Sequence, residues 1–163
     1  MGKIAFVFSG QGAQKAGMGK AFYEANEMVK KLFDDAEALR EGTLRQCFEG
    51  TAEELKETQN TQPCLYLADL AAAIAVLEAG ITPDSVAGFS LGEIPALAFA
   101  GAYSYLDGFQ LAMKRGAVMA KAAAEYPASM LAVMKLENKK TEEICKQFRQ
   151  VYPVNYNAPG QLV

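Results

Sequence analysis

Asp84-Ser85-Val86-Ala87-Gly88-Phe89-Ser90-Leu91-Gly92-Glu93-Ile94-Pro95-Ala96-Leu97 is the stretch that decides the fold. A short run able to form a strand ends at Gly88, a serine stands between two glycines, and an apolar stretch of helical character follows. Gly88-Phe89-Ser90-Leu91-Gly92 is the G-x-S-x-G pattern of a nucleophile elbow. In such a turn the serine sits on a strained strand-to-helix junction, so the residues at minus two and plus two must be small for backbones to approach. The helix that follows directs its free N–H groups and positive dipole end at the serine oxygen. The N–H of Leu91 is then placed to stabilise an oxyanion. Glycine and serine are common in loops, so the bare pattern also fits an ordinary strand-to-helix turn.

Upstream, Lys3–Phe8 is a short continuous apolar run and predicts a buried, parallel strand. Ser9–Gly19 is glycine-rich, able to bend sharply and approach a ligand closely. A dinucleotide fingerprint would need a third glycine at position 15, which is Lys15. Residues 20–40 have the spacing of one helix, Leu44–Phe48 that of a short turn, and Thr51-Ala52-Glu53-Glu54 that of a capping box opening a short helix. Pro63 is expected to start a helix reaching about Ala79, with Asp69 its only charge between Cys64 and Leu77. Such a helix is apolar nearly all round and belongs at the centre of the fold. Gln62 then reads as a polar cap at the start of that helix. Gly80 suits a left-handed cap, and Pro83 bars continuation.

Downstream, Leu91 to about Ala100 is the elbow's own helix, with Glu93 where the dipole favours a carboxylate. Tyr105 to about Ala124 is a further helix. Its adjacent Lys114 and Arg115 point about 100° apart, so only one can face the core side. A lone helical arginine is ordinarily a solvated charge. From Ser129 the pattern becomes strand-like over Met130–Leu136, helical to about Arg149 behind Asn138 or Thr141, and strand-like over Val151–Tyr156. A strand-helix-strand unit of this kind opens a ferredoxin-like subdomain.

The 163 residues suit one domain, or one domain plus a fragment, and 51% hydrophobic content suits a globular core. A net charge of −3 argues against a nucleic-acid surface and provides no basic tail for a membrane. No uncharged apolar run reaches a spanning length and no signal peptide is expected, which predicts a cytoplasmic protein. Cys47, Cys64 and Cys145 are scattered and read as reduced thiols. There is no histidine and no C-x-x-C, so neither a nucleophilic cysteine nor a zinc or other metal site is expected.

Five stretches together resemble malonyl-CoA:acyl carrier protein transacylases and related acyltransferase domains. Gly88-Phe89-Ser90-Leu91-Gly92-Glu93 is similar to their G-H-S-L-G-E, and Phe8-Ser9-Gly10-Gln11-Gly12-Ala13-Gln14 to their F-P-G-Q-G-S-Q. Thr61-Gln62-Pro63 is similar to T-Q-P, Arg115-Gly116 to M-R-G, and Asn155-Tyr156-Asn157-Ala158-Pro159-Gly160-Gln161 to N-x-N-S-P-G-Q. The motifs occur in the family's order, cover the whole chain, and correspond to the front half of the family's usual protein.

The resemblance implies an α/β fold with a hydrolase-like parallel sheet core and a nucleophile elbow, into which a ferredoxin-like small subdomain is inserted. Residues 1–126 would be the N-terminal part of the large acyltransferase domain and 127–163 the incomplete subdomain. It implies ping-pong transfer of a malonyl group from coenzyme A to an acyl carrier protein through an ester on Ser90. The backbone N–H groups of Leu91 and Gln11 would hold the oxyanion. Arg115 would fork onto the malonyl carboxylate, for which a planar, always-charged guanidinium is suited. Gln62, Phe89 and Asn157 would line the substrate site. Two departures stand out: Ser9 replaces the usual proline, and Phe89 replaces the histidine before the serine, which bears on site shape and acyl selectivity. No cofactor is implied, since the coenzyme A thioester is a substrate. A serine hydroxyl is a weak nucleophile without a base. The family's histidine lies beyond the matched region, so a C-terminal segment or second chain would supply it. The missing histidine also fits a catalytically silent relative that binds acyl-CoA or carrier protein, and the glycine-rich loop keeps a nucleotide-binding fragment as a weaker alternative.

Overall fold

A computed structural model describes residues 2–163. The apolar run near the N-terminus forms β1 (Ala5–Phe8), and the strand feeding the elbow forms β2 (Ser85–Gly88). They pair in parallel, with Ala5 opposite Ser85 and Phe8 opposite Gly88. The Phe89 N–H continues the ladder to the Phe8 carbonyl at 3.1 Å, so both strands end side by side at the elbow. Phe6 and Phe8 pack on Phe99, with ring centroids 5.6 and 5.8 Å away. The expectation of a buried strand holds for this side alone. Ala5 is exposed, and Val7 points away from the helices and is 77% exposed. An apolar strand is buried on both sides only where both faces of its sheet are covered.

Between the strands lie five helices, α1 (Lys20–Ala25), α2 (Glu27–Leu39), α3 (Thr43–Glu49), α4 (Ala52–Lys56) and α5 (Thr58–Glu78). The single helix expected over residues 20–40 is two. Asn26 interrupts it with φ −139°, and its side chain accepts the Val29 N–H at 2.9 Å as the cap of α2. Residues 44–48 continue as α3 rather than a turn. Thr51 and Glu54 form the expected capping box.

The central helix α5 is longer than the sequence suggested. It begins five residues before Pro63, which lies inside it. Proline there removes one intrahelical N–H bond. The Thr61 hydroxyl adds local ties, donating to the carbonyls of Leu55 at 2.5 Å and Glu57 at 3.0 Å. Leu65, Tyr66, Leu67, Leu70 and Ile74 are buried on several sides of α5, which packs against α2, α3 and α4. Its C-terminus is a Schellman motif around Gly80 at φ 86°, with Gly80 N–H to Leu77 O at 3.0 Å and Ile81 N–H to Val76 O at 3.2 Å.

After the elbow come α6 (Glu93–Phe99) and α7 (Tyr105–Glu125). Pro95 falls in the first turn of α6, where an absent N–H costs little. Helix α7 lies along α5. Gly116 makes this possible, because a Cβ there would stand 3.0 Å from the Thr58 carbonyl and 3.2 Å from Gln59 Cα.

The chain divides into two compact units after Glu125. The second holds β3 (Val133–Met134), α8 (Asn138–Cys145), β4 (Tyr156–Ala158) and β5 (Gln161–Leu162) in an antiparallel sheet of order β3-β5-β4. The two long strands expected here are replaced by three short ones, two of which form a hairpin through Gly160 at φ 76°. Asn138 does not cap α8. Its side chain accepts the Gly160 N–H at 3.2 Å and so ties the hairpin turn to the helix.

Candidate active site

Ser90 occupies the tip of the junction between β2 and α6, with φ 56°, a left-handed conformation uncommon outside glycine. The space is set by Gly88 and Gly92. A Cβ on Gly88 would lie 2.1 Å from the Gly92 carbonyl oxygen, and one on Gly92 would lie 2.3 Å from the Phe8 oxygen. Neither position admits any other residue without moving backbone, which is the requirement the sequence pattern posed. A single 3₁₀ turn, Ser90–Gly92, precedes α6, and its first bond runs from the Gly92 N–H to the Phe89 carbonyl at 2.9 Å. The N–H of Leu91 precedes that bond and belongs to the unsatisfied donors at a helix start. Leu91's side chain is buried beneath, while Ser90 is exposed.

Three elements converge on this turn. The loop after β1 passes directly behind it. A Cβ on Gly10 would lie 2.7 Å from both the Phe89 ring and its carbonyl, so Gly10 is pressed on the elbow, one residue before Gln11. Gln11 reaches the start of α5 by donating from Nε2 to the Thr58 hydroxyl at 3.3 Å. From α7, Arg115 donates from a terminal guanidinium nitrogen to Ser90 Oγ at 3.2 Å. The neighbouring Lys114 is exposed, and Gly116 is the contact with α5. Of the adjacent cations, Arg115 is the one that reaches the serine.

Gln62 is not a helix cap. It is the fifth residue of α5 and is fully buried. Its Nε2 donates to Met119 Sδ at 3.2 Å, a weak acceptor, and its Oε1 is buried without a partner among the described residues. Thr58, Gln62 and Asp69 fall within about 40° of one another around the helix, so one stripe of α5 faces the loop and α7. Asp69 accepts the Ser9 hydroxyl at 2.8 Å, and burial pushes its carboxyl up to about 6. Its second oxygen is buried without a partner among the described residues. Phe89 is 53% exposed beside Ser90. Asn157 lies in the second unit, exposed on β4.

The structure thus brings Ser90, Leu91, Phe89, Arg115 and the Gln11 loop together. Thr58, Met119 and the Ser9–Asp69 pair were not singled out from sequence. The available signal was Asp69 itself, one charge in an otherwise apolar helix, which requires a polar partner when buried.

A parallel strand pair delivering a left-handed serine, flanked by glycines, into a helix start defines an α/β protein with a nucleophile elbow. The chain belongs to the acyl transferase domain family, whose pattern matches residues 5–163. It is 42% identical over 168 residues to the malonyl CoA-acyl carrier protein transacylase of Bacillus subtilis (strain 168), a match covering 100% of this chain and 53% of that protein. It superposes with a TM-score of 0.89 on the crystal structure of the transacylase from Streptococcus pneumoniae, at 37% identity, covering 98% of this chain and 53% of that one. A type II PKS acyl-carrier protein in complex with its malonyl-transacylase gives a TM-score of 0.84 at 33% identity, covering 99% and 54%. The chain spans about half the length of the relatives it matches.

Proposed function

We propose that the chain forms the nucleophile-bearing part of an acyltransferase that moves a malonyl group from coenzyme A to an acyl carrier protein. The observation that carries this reading is Arg115 within hydrogen-bond distance of Ser90 Oγ at the elbow. Ser90 Oγ attacks the thioester carbon, and the carbonyl oxygen becomes an oxyanion. The N–H groups of Leu91, at the helix start that follows the serine, and of Gln11, in the loop whose Gly10 is packed on Phe89, receive that charge in this reading. The carbon–sulfur bond breaks, coenzyme A leaves as its thiol, and a malonyl ester remains on Ser90. The pantetheine thiol of the carrier protein then repeats the attack in the opposite direction.

The malonyl carboxylate lies two carbons beyond the ester carbonyl, within reach of a guanidinium already beside Oγ. Moving from Oγ to the carboxylate exchanges a neutral acceptor for a charged, bidentate one. Gln62, whose buried Oε1 has no partner among the described residues, and Phe89 line the substrate side. Residues 1–126 serve as the front of the large domain, and 127–163 as the opening of a ferredoxin-like subdomain, in keeping with the strand-helix-strand order of the second unit. Malonyl-CoA and a carrier protein are the substrates, with no cofactor. The cytoplasm is the proposed compartment. Among the described residues no helix is long and apolar enough to cross a membrane.

The sequence holds no histidine to take the Ser90 proton. The base therefore comes from a segment outside these residues or from a second chain. The same absence favours one second reading, a silent relative that binds acyl-CoA or carrier protein without turnover. Intact-mass analysis separates them. The chain is incubated with malonyl-CoA, with and without a segment carrying the family's histidine, and with Ser90→Ala as control. The transferase reading expects a malonyl adduct on Ser90 when the segment is present and slow labelling without it. Binding of malonyl-CoA with no adduct in either case supports the silent relative. Fast stoichiometric labelling of the chain alone would reveal a base within it.

A further inference from the structure

The loop bearing Gln11 is pinned to the central helix at two places, the Gln11 side chain on Thr58 and the Ser9 hydroxyl on Asp69. These acceptors are about 16 Å apart along one stripe of α5. Ser9 is also the residue whose main chain supports the elbow. Its carbonyl would lie 2.6 Å from a Cβ on Gly92, and the next residue is Gly10, pressed on Phe89. Ser9 has no ring to fix its φ, and its hydroxyl and backbone both bear on the Asp69 carboxyl as the loop leaves β1.

Stability gives no reason for a carboxyl at position 69. Burial disfavours its charge, and among the described residues one oxygen lacks a partner and no cation contributes to its environment. The groups around it, from Ala5–Phe8 of β1 and Ala72, Ala73 and Val76 of α5, carry no charge. A half-used buried acceptor of this kind is a cost that an apolar residue would remove.

We infer that Asp69 is a positioning residue for the oxyanion loop, holding the Gln11 backbone N–H in place at the elbow through the Ser9 hydroxyl. This rests on the proposed acyl-transfer role of Ser90. Asp69 touches neither substrate nor the reacting atoms and acts through Ser9.

The test is a mutant cycle read by amide hydrogen exchange on the 163-residue chain. Ser9→Ala and Asp69→Ala should each speed exchange at residues 10–12 by about fivefold relative to the α5 amides, as the loss of one ordinary hydrogen bond implies. The double variant should match Asp69→Ala alone. Asp69→Asn, which keeps an acceptor in place, should retain most of the protection. Unchanged exchange in the single variants, or effects that multiply in the double one, overturns the tether. The second arm follows Ser90 acylation with the histidine-bearing segment present. Ser9→Ala and Asp69→Ala should lower the rate at saturating malonyl-CoA and leave the half-saturating concentration within about twofold, the signature of an interaction made only in the transition state. Faster exchange with an unchanged acylation rate overturns the positioning role. Failure of the wild-type chain to acylate at all sinks the acyl-transfer reading instead, so the two failures are distinguishable.

Discussion

The carboxyl of Asp69 should make the protein less stable as the pH rises. Its ordinary value is 3.8, and burial raises it to about 6 in the folded chain. Below 3.8 both folded and unfolded chains hold the proton. Between the two values the unfolded chain releases it while the folded chain keeps it, so stability falls with rising pH. Above about 6 both are ionised and the loss is complete. At 1.36 kcal/mol per pH unit, the full separation of 2.2 units corresponds to about 3 kcal/mol. Asp69 is only half-buried, and solvent screening reduces the figure to about 1–2 kcal/mol. Asp69→Asn removes the titration. The asparagine amide would itself lack an acceptor where the second carboxylate oxygen now sits, which shifts stability at every pH by a similar amount. The discriminating quantity is therefore the pH slope. Urea unfolding followed by circular dichroism at pH 3.5 and pH 8 gives the wild-type-minus-variant difference at each. That difference should change by about 1–2 kcal/mol, with the variant relatively more stable at pH 8. An equal difference at both pH values would show that the carboxyl titrates normally and refute the burial argument.

Arg115→Ala, assayed with the histidine-bearing segment present, should lose malonyl transfer by about 2–5 kcal/mol, the cost of deleting one partner of a charged, bidentate contact with the substrate, and spare acetyl transfer. An equal loss for both acyl groups would return Arg115 to a solvated charge. Gly92→Ala places a methyl 2.3 Å from the Phe8 carbonyl, a backbone clash that no rotamer relieves, and should cost about 3 kcal/mol or more in unfolding free energy. An alanine variant as stable as the wild type would mean that the elbow and β1 are not in contact.

The elbow was legible because steric necessity writes it into residue identity: only glycine fits at positions 88 and 92. The capping box and the Gly80 terminus were legible for a similar reason, each being a local hydrogen-bond pattern with few side chains able to make it. What sequence left open depended on the tertiary surroundings. Pro63 looked like a helix start because proline favours first turns, yet Thr61 and the packing around α5 carry the helix past it. Apolar spacing runs through Asn26 and masks the break, although an asparagine ahead of Glu27 is a cap signal. Arg115 could not be told from Lys114 by pattern alone. Helix phase allowed either inward, and the contact at Gly116 settled which. In the second unit the strands are two or three residues long, too short for alternation to register, and the hairpin turn at Gly160 set their pairing instead.

The left-handed backbone at Ser90 bears on how this sequence would drift under relaxed selection. A non-glycine residue held there costs of order 1–3 kcal/mol. Glycine would relieve most of that strain at the loss of one hydroxyl. A lineage that kept the scaffold only for docking would have every reason to accept that exchange, because most sequences sit close to their stability threshold and gains of this size are readily fixed. Serine at position 90 is therefore the residue to follow across generations in a population denied the need for acyl transfer. Its replacement should precede that of the glycines on either side, which hold the backbone whatever the chain is used for.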